Sequence, residues 1–202
     1  FPEVNGYKVD QDALINTNEI TYQWFDYIFK DGDKPKILKD KINYQVMGAN
    51  EWRSAPTIEK MNNGYLKLFL VDEETEGFYS LKSEKPKKDK YIGQVVDFSD
   101  RDKWHNLNYY PDPIILNELN TRRGIFFVSE PMRASLLING SFEGEIMASI
   151  NKMDLDIGIT LFELTPNGTY FHLSYSIFRA SYAKDITKRN LLTPEAKETI
   201  PF

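Results

Sequence analysis

The sequence predicts a mainly β protein, an antiparallel β-sandwich with a short helical segment near its N-terminus. Two observations in residues 123–182 carry this prediction. Apolar and polar residues alternate from residue 155 to residue 161, which is the period of a strand with one buried face. Four or five short runs of this kind also follow one another at regular spacing, with no helical period between them. That arrangement is typical of a sandwich.

The clearest pair of predicted strands flanks a turn at residues 165–168. Pro166 fixes its own φ, and the Asn167-Gly168 pair tolerates positive φ, so the sequence favours a tight reversal there. After the turn, apolar and aromatic residues are expected on one face of the strand and polar residues on the other. These two sets are Phe171, Leu173, Tyr175 and Ile177, and His172, Ser174 and Ser176.

Length, composition and charge bound the class of protein. A chain of 202 residues is long enough for one large β domain or two small ones. A net charge of -5 argues against a nucleic-acid surface, which would be basic, and the absence of cysteine excludes disulfides and thiolate metal sites. No stretch is apolar enough to span a membrane. Because the chain starts at Phe1 without a signal-peptide pattern, we expect a piece of a longer protein.

Residues 19–30 carry the period of an amphipathic helix. Asn18 is the expected N-cap, and Gly32 lies just past the expected C-terminal end. The apolar stripe of this helix is wide, so two interpretations stay open: it packs on its own sandwich, or it contacts something larger. The stripe comprises Ile20, Trp24, Phe25, Tyr27, Ile28 and Phe29.

Residues 31–36 are polar and form the best candidate for a domain boundary, which predicts a first segment over 1–32 and a β domain over 33–202. Beyond this boundary, alternation predicts a strand over 42–46 that Gly48 ends, with Trp52 on the following loop. Further strands are expected over 65–71 and 78–81. The charged run at 82–90 is expected to be a solvated loop.

The periodic pattern is lost from residue 97 to residue 116, where aromatic residues and prolines accumulate. Long loops without regular structure are often functional, which is one interpretation. The other is that these side chains fold back to cover the edge of the sandwich. The residues concerned are Trp104, Leu107, Tyr109 and Tyr110.

A search for catalytic chemistry is mostly negative. No pair of glycines brackets a serine as a nucleophile elbow requires, and His105 and His172 lack the spacing of a zinc-binding helix. His172 is expected on the polar, exposed side of its strand. Asp154 and Asp156 lie on one face of a strand, and we interpret them as hydrogen-bonding residues of a turn and a sheet. No catalytic residue, metal site or cofactor is predicted.

Several short motifs resemble a known family when taken in order. Val46 to Arg53 reads Val-Met-Gly-Ala-Asn-Glu-Trp-Arg, and Phe127 to Pro131 reads Phe-Val-Ser-Glu-Pro after Arg123. The later motifs are Ile138-Asn-Gly140, Asp154-Leu-Asp156, Leu161 to Gly168 and Arg179-Ala-Ser-Tyr182. Together they are similar to the C-terminal domain of the cocaine esterase / X-Pro dipeptidyl-peptidase (CocE/NonD) family of serine hydrolases.

The resemblance implies a non-catalytic jelly-roll sandwich, galactose-binding-domain-like, that packs on an α/β-hydrolase domain of the same parent chain. Residues 1–32 then correspond to the tail of that catalytic domain, and its catalytic triad lies upstream of Phe1. The family has Asp-Pro where this chain has Asp97-Phe98, and its sandwich continues beyond the position of Phe202. The last strands of the family's domain are therefore expected to be missing here.

The resemblance also assigns roles to the two aromatic regions. Trp104, Leu107, Tyr109 and Tyr110 are expected to help wall the acyl pocket of an esterase or dipeptidyl-peptidase. Trp24, Phe25, Ile28 and Phe29 are expected to contact the catalytic domain, or in the isolated chain a second copy in a homodimer. The alternative function is a carbohydrate-binding module, which an exposed flat platform of Trp104, Tyr109 and Tyr110 would favour.

Overall fold

A computed structural model of the chain describes residues 2–88, 90–97, 99, 113–121 and 124–202. These described residues are mainly β, with several antiparallel sheets and one short α-helix near the N-terminus. The predicted fold class is confirmed, because this content is consistent with a β-sandwich. The chain divides into two compact units, Phe1–Asn106 with Leu119–Gly140, and Leu107–Glu118 with Ser141–Phe202.

The first unit contains the helix and three small sheets. Its elements are β1 (Glu3–Val4), β2 (Tyr7–Lys8), α1 (Thr17–Phe29), β3 (Ile42–Val46), β4 (Glu51–Ala55), β5 (Phe69–Thr75), β6 (Phe78–Lys82) and β8 (Phe127–Ser129). The sheets are β1–β2, β3–β4 and β5–β6–β8. All these pairs are antiparallel except β6 with β8, which is parallel. Val46, Ala55 and Val71 are its buried apolar residues among those described.

The second unit contains two antiparallel sheets. Its strands are β7 (Ile115–Leu116), β9 (Glu145–Ala148), β10 (Asp156–Leu164), β11 (Tyr170–Arg179) and β12 (Glu198–Pro201). They pair in the orders β10–β11–β7 and β12–β9. The core of this unit forms around Ala180, Leu192 and Ile200, and partly buried apolar residues such as Ile157 and Phe178 pack against it.

The predicted turn at residues 165–168 is confirmed, and it connects β10 to β11. The Gly168 amide donates to the Thr165 carbonyl over 2.9 Å, and Gly168 has a φ of +83°, a value that glycine adopts without strain. The Thr165 hydroxyl also accepts a bond from the Thr169 amide, which closes the loop a second time. The turn residues therefore act as their sequence indicates.

The predicted faces of β11 are confirmed from Ser174 onward but are wrong for Phe171 and His172, because a β-bulge interrupts the alternation. Leu161 pairs with Ser174, but the next residue, Phe162, pairs with His172, so Leu173 is left without a partner in the ladder. The side chain of Phe171 therefore lies on the face of Ser174 and Ser176. Phe171 does not share a face with Tyr175 and Ile177, and His172 lies on their face in its place. No glycine or proline marks the bulge in the sequence.

Two smaller predictions also need correction. Trp52 lies in β4 and not on a loop, because Gly48 and Asn50, both at positive φ, make a short turn that returns the chain as a second strand. The strand predicted over 65–71 overlaps β5 only at its end, since β5 begins at Phe69. The strands predicted over 42–46 and 78–81 are confirmed as β3 and β6.

The helix α1 begins two residues earlier than predicted. Asn16, not Asn18, is the N-cap, and its side chain accepts from the Glu19 amide over 3.2 Å. At the other end, the amides of Lys30 and Gly32 both donate to the Asp26 carbonyl. A Cβ on Gly32 would lie 3.2 Å from that carbonyl, so the close approach favours glycine.

Candidate functional site

The apolar residues of α1 form an exposed stripe, which we call the α1 stripe and which comprises Trp24, Phe25, Ile28 and Phe29. Ring contacts within the helix hold it together: the Phe25 and Phe29 centroids are 6.2 Å apart, and Trp24 lies 5.6 Å from Tyr27. None of the 13 helical residues is buried, and Phe25 and Phe29 are 49% and 75% exposed. No strand in the described part of the chain packs extensively against α1. The structure thus brings these four predicted site residues together on one open surface.

The segment preceding α1 is bonded to the turn between β3 and β4. One carboxylate oxygen of Asp10 accepts from the Gln45 side-chain amide over 2.8 Å and from the Gly48 backbone amide over 2.7 Å. The Asp12 amide donates to the Asn50 side chain over 2.9 Å, and the Trp52 indole donates to the Asp12 carbonyl over 2.7 Å. The bonds from Gln45, with the larger effect, and from Gly48 hold the pKa of the Asp10 carboxyl below its usual value.

Sequence reasoning missed this contact. Gln45, Gly48, Asn50 and Trp52 lie within or beside the motif that carries the family resemblance, but nothing in their spacing indicates what they bind. Two aspartates at i and i+2 ahead of a helix are equally uninformative on their own.

Asp154 is the centre of a hydrogen-bonded node in the second unit. Its carboxylate accepts from the Ser181 hydroxyl over 2.8 Å, from the Ser181 and Leu155 amides over 3.1 Å each, and from Arg189 over 3.1 Å. Burial alone would raise the pKa of Asp154. The bonds from Ser181 and Arg189 lower this pKa by more than burial raises it, so the net shift is downward. The carboxylate is therefore occupied as an acceptor, as expected for a structural residue.

Asp156 has a different environment from Asp154. It makes a two-pronged pair with Arg179, with distances of 2.7 and 2.9 Å, on the exposed surface of the β10–β11 ladder. That bond to Arg179 lowers the pKa of Asp156. The two aspartates act as sheet and turn hydrogen-bonders, which agrees with their interpretation from the sequence.

His172 is not the surface residue that the sequence predicts. The bulge at Leu173 places it on the face that carries Phe162 and Tyr175, with ring centroids 5.4 and 5.9 Å away. Its Nε2 atom is buried and has no hydrogen-bond partner among the residues that the structure describes. Burial lowers the pKa of His172, so the neutral imidazole is favoured. A neutral ring in an aromatic cluster fits a packing role.

The four residues predicted to wall an acyl pocket, Trp104, Leu107, Tyr109 and Tyr110, lie outside the described residues, as does His105. Over the ranges that are described, no three acidic, histidine or cysteine side chains come together as a metal site would require. In the same ranges, no helix has both the length and the hydropathy to cross a membrane.

Comparison with known proteins agrees with the motifs and with the β architecture. Residues 38–201 match the family model of the X-Pro dipeptidyl-peptidase C-terminal non-catalytic domain. Among curated proteins, no match is found. The matched range contains every strand from β3 to β12 and leaves α1 and the Asp10 segment outside it. The chain belongs to the family of X-Pro dipeptidyl-peptidase C-terminal non-catalytic domains.

Proposed function

We propose that this chain is the non-catalytic C-terminal part of a serine hydrolase, an acyl esterase or X-Pro dipeptidyl-peptidase, and that it packs on the catalytic α/β-hydrolase domain of the same parent chain. In this proposal residues 1–32 are the tail of the catalytic domain, and residues 33–202 are a jelly-roll, galactose-binding-domain-like sandwich. Residues of the 97–116 segment then help to wall the acyl pocket.

The exposed α1 stripe is the observation that carries the proposal. Scattered apolar side chains are normal on a protein surface, but four large ones on one helix face form a contiguous patch. Burial of such surface contributes roughly 25 cal/mol per Å² of apolar area, so covering it favours association. The stripe precedes residue 38, where the match to the non-catalytic domain begins, as expected for a helix of the adjoining domain.

The first test measures whether the purified chain has hydrolase activity. Without an activated nucleophile and its base, the covalent route of acyl transfer is closed. We expect the purified chain to hydrolyse neither p-nitrophenyl esters nor Xaa-Pro anilides. Turnover that survives repurification and is lost when a serine of this chain is replaced would contradict the proposal.

The second test addresses the α1 stripe in the parent protein. Replacing Trp24 and Phe25 together by serine should weaken the contact with the catalytic domain, which limited proteolysis between the domains would report as faster cleavage. The matched control is Gln23→Ser, on the polar side of the same helix, where the Gln23 side chain donates to Glu19. Equal cleavage rates for the two variants would show that the stripe has no inter-domain role.

The third test addresses the pocket wall. In the parent enzyme, Trp104→Ala and Tyr110→Ala should change KM among substrates with different acyl groups and leave the unfolding midpoint in place, because aromatic residues shape a pocket without doing chemistry. Wild-type kinetics on every acyl group tried would reduce this segment to a cover over the sandwich. Retention of the unsubstituted protein on a carbohydrate column, lost in the Trp104→Ala and Tyr110→Ala variants, would favour the carbohydrate-binding alternative instead.

A further inference from the structure

We propose that the turn between β3 and β4 is a docking site for the acidic segment Asp10–Asp12, and that this contact fixes the direction in which α1 presents its stripe. We call the contact the Asp10 latch, and it comprises Asp10, Asp12, Gln45, Gly48, Asn50 and Trp52. The orientation of α1 is inferred from contacts within this chain alone. The contact of the stripe with a catalytic domain rests on the proposed function.

The contacts of the latch fit an acidic side chain at one position and a backbone amide and carbonyl two positions later. Asp10 uses one carboxylate oxygen to accept two hydrogen bonds, from Gln45 and Gly48. A charged acceptor makes such bonds shorter and stronger than a neutral one. Asp12, in contrast, contributes only its amide and carbonyl, to Asn50 and Trp52. The turn therefore recognises the Asp10 side chain and the Asp12 backbone.

The shape of the turn depends on two residues at positive φ. Gly48, at φ +78°, directs its amide toward the Asp10 carboxylate, and a Cβ added there would meet nothing within 4 Å. Asn50, at φ +50°, directs its side-chain oxygen toward the Asp12 amide. Glycine and asparagine are the residues that tolerate this backbone region best. The motif thus combines donors, an acceptor and the backbone geometry that exposes them.

Backbone hydrogen bonds order the segment between the latch and α1. Ala13 donates to the Asp10 carbonyl, Leu14 to the Gln11 carbonyl and Ile15 to the Ala13 carbonyl. Asn16 then caps the helix. Since only the peptide between Ile15 and Asn16 separates these bonds from the helix, we expect that fixing Asp10 and Asp12 restricts the first turn of α1.

Few other contacts in the described part of the chain hold the helix, although Trp24 lines a cavity with residues of the 34–43 segment. It buries none of its residues, and no described strand packs extensively against it. Its C-terminal end is closed only by bonds within residues 26–32. The latch, with bonds between residues 35 to 40 positions apart in sequence, is therefore the principal long-range polar anchor of the helix among the described residues.

Amide hydrogen exchange of the 202-residue chain tests the latch, with two aspartates as a matched pair. Asp10→Ala removes two bonds to a charged acceptor, so the amides of residues 13–29 should exchange at least about tenfold faster. Asp12→Ala makes the same change of charge but keeps both backbone bonds, so exchange should stay within about twofold of the wild type. Equal exchange in the two variants, or no change with Asp10→Ala, would overturn the proposal.

Two further variants remove the groups of the turn that bond to Asp12. Asn50→Gly removes the acceptor for the Asp12 amide and suits φ +50° without strain, and Trp52→Phe removes the indole donor but keeps an aromatic ring. If Asp10→Ala also unfolds β3 and β4, this pair decides the question. Faster exchange of residues 13–29 with β3 and β4 still protected supports the latch, and unchanged exchange overturns it.

The same exchange experiment separates the latch from the proposed function, because it uses no catalytic domain. In the parent protein, Asp10→Ala should speed cleavage between the domains as the stripe substitutions do, and Asp12→Ala should not. A released helix in the isolated chain with unaltered cleavage in the parent would retain the latch and refute only the inter-domain role of the stripe.

Discussion

Replacing Asp154 by alanine should destabilise the second unit more than any other single loss of an acidic side chain there. Ser181 is the reason, since it is only 1% exposed and depends on Asp154 for both its amide and its hydroxyl. In the variant these two buried donors lose their acceptor. Arg189 also loses its partner, but its side chain is half exposed and water can replace the bond.

The magnitude follows from the two stranded donors. Leaving one buried polar group unsatisfied costs about 1–3 kcal/mol, and partial relaxation around two neighbouring groups makes the costs less than additive. We therefore expect Asp154→Ala to lower the free energy of unfolding by about 2–4 kcal/mol. Ser181→Ala removes the hydroxyl itself and leaves the carboxylate three other donors, so about 1 kcal/mol is expected there.

Urea denaturation followed by far-UV circular dichroism would measure both losses, as shifts of the midpoint at constant m-value. Asp156→Ala is the control. It removes a carboxylate from the same strand region, but its pair with Arg179 is exposed and should contribute little. The reasoning would be refuted if Asp156→Ala, or Ser181→Ala, cost as much as Asp154→Ala.

The stability difference between wild type and Asp154→Ala should depend on pH with a known sign. The pKa of Asp154 is depressed in the folded chain, so its contribution is fully present above the unfolded-state pKa of about 3.9 and is lost as the pH falls through the folded value. The difference in stability between wild type and Asp154→Ala should thus stay constant from pH 7 to pH 5 and shrink below about pH 4. A difference that grows toward low pH would assign the wrong sign to the interaction.

Two further substitutions in the second unit, each paired with a control, test the fold. Ile200 is 2% exposed in the core with Ala180 and Leu192, so Ile200→Ala should cost about 2–5 kcal/mol in urea denaturation, whereas Met147→Ala, exposed on the paired strand, should cost much less. Gly168→Ala places a Cβ at φ +83° and should cost about 1 kcal/mol, while Gly64→Ala, which meets nothing within 4 Å and has no positive φ, should be near neutral; equal costs in either pair would contradict the structure.

Local patterns in the sequence were sufficient for much of the fold. The alternation at residues 42–46 and 155–161 predicted β3 and β10, and the Asn167-Gly168 turn predicted the connection from β10 to β11. Each depends on residues adjacent in sequence, where period and turn chemistry act directly. The N-cap error was also local: Asn16 followed three positions later by Glu19 resembles a capping box, and that spacing favoured Asn16 over Asn18.

The errors that matter most arose from contacts between distant residues. The bulge at Leu173 is invisible in a regularly alternating sequence, because only pairing with β10 reveals that one residue has no partner. His172 was consequently assigned to an exposed polar face when its ring packs with Phe162 and Tyr175. Trp52 was assigned to a loop because Gly48 was interpreted as the end of a strand, when it is half of a hairpin turn.

The Asp10 latch and the Asp154 node use the same chemistry in the two units. In each, one aspartate accepts from a backbone amide and a side chain that lie 27 to 38 positions away, at Gly48 and Gln45 or at Ser181. Fully buried apolar residues are few in the described chain, so hydrophobic burial stabilises each unit only modestly. Hydrogen bonds to a charged acceptor therefore contribute a larger share of the local stability. The exposed apolar residues of the α1 stripe point to the complementary conclusion. The α1 stripe is one part of the apolar surface that the described residues leave exposed. If the Asp10 latch holds the helix as proposed, a partner that covers the stripe gains burial without having to order the helix first.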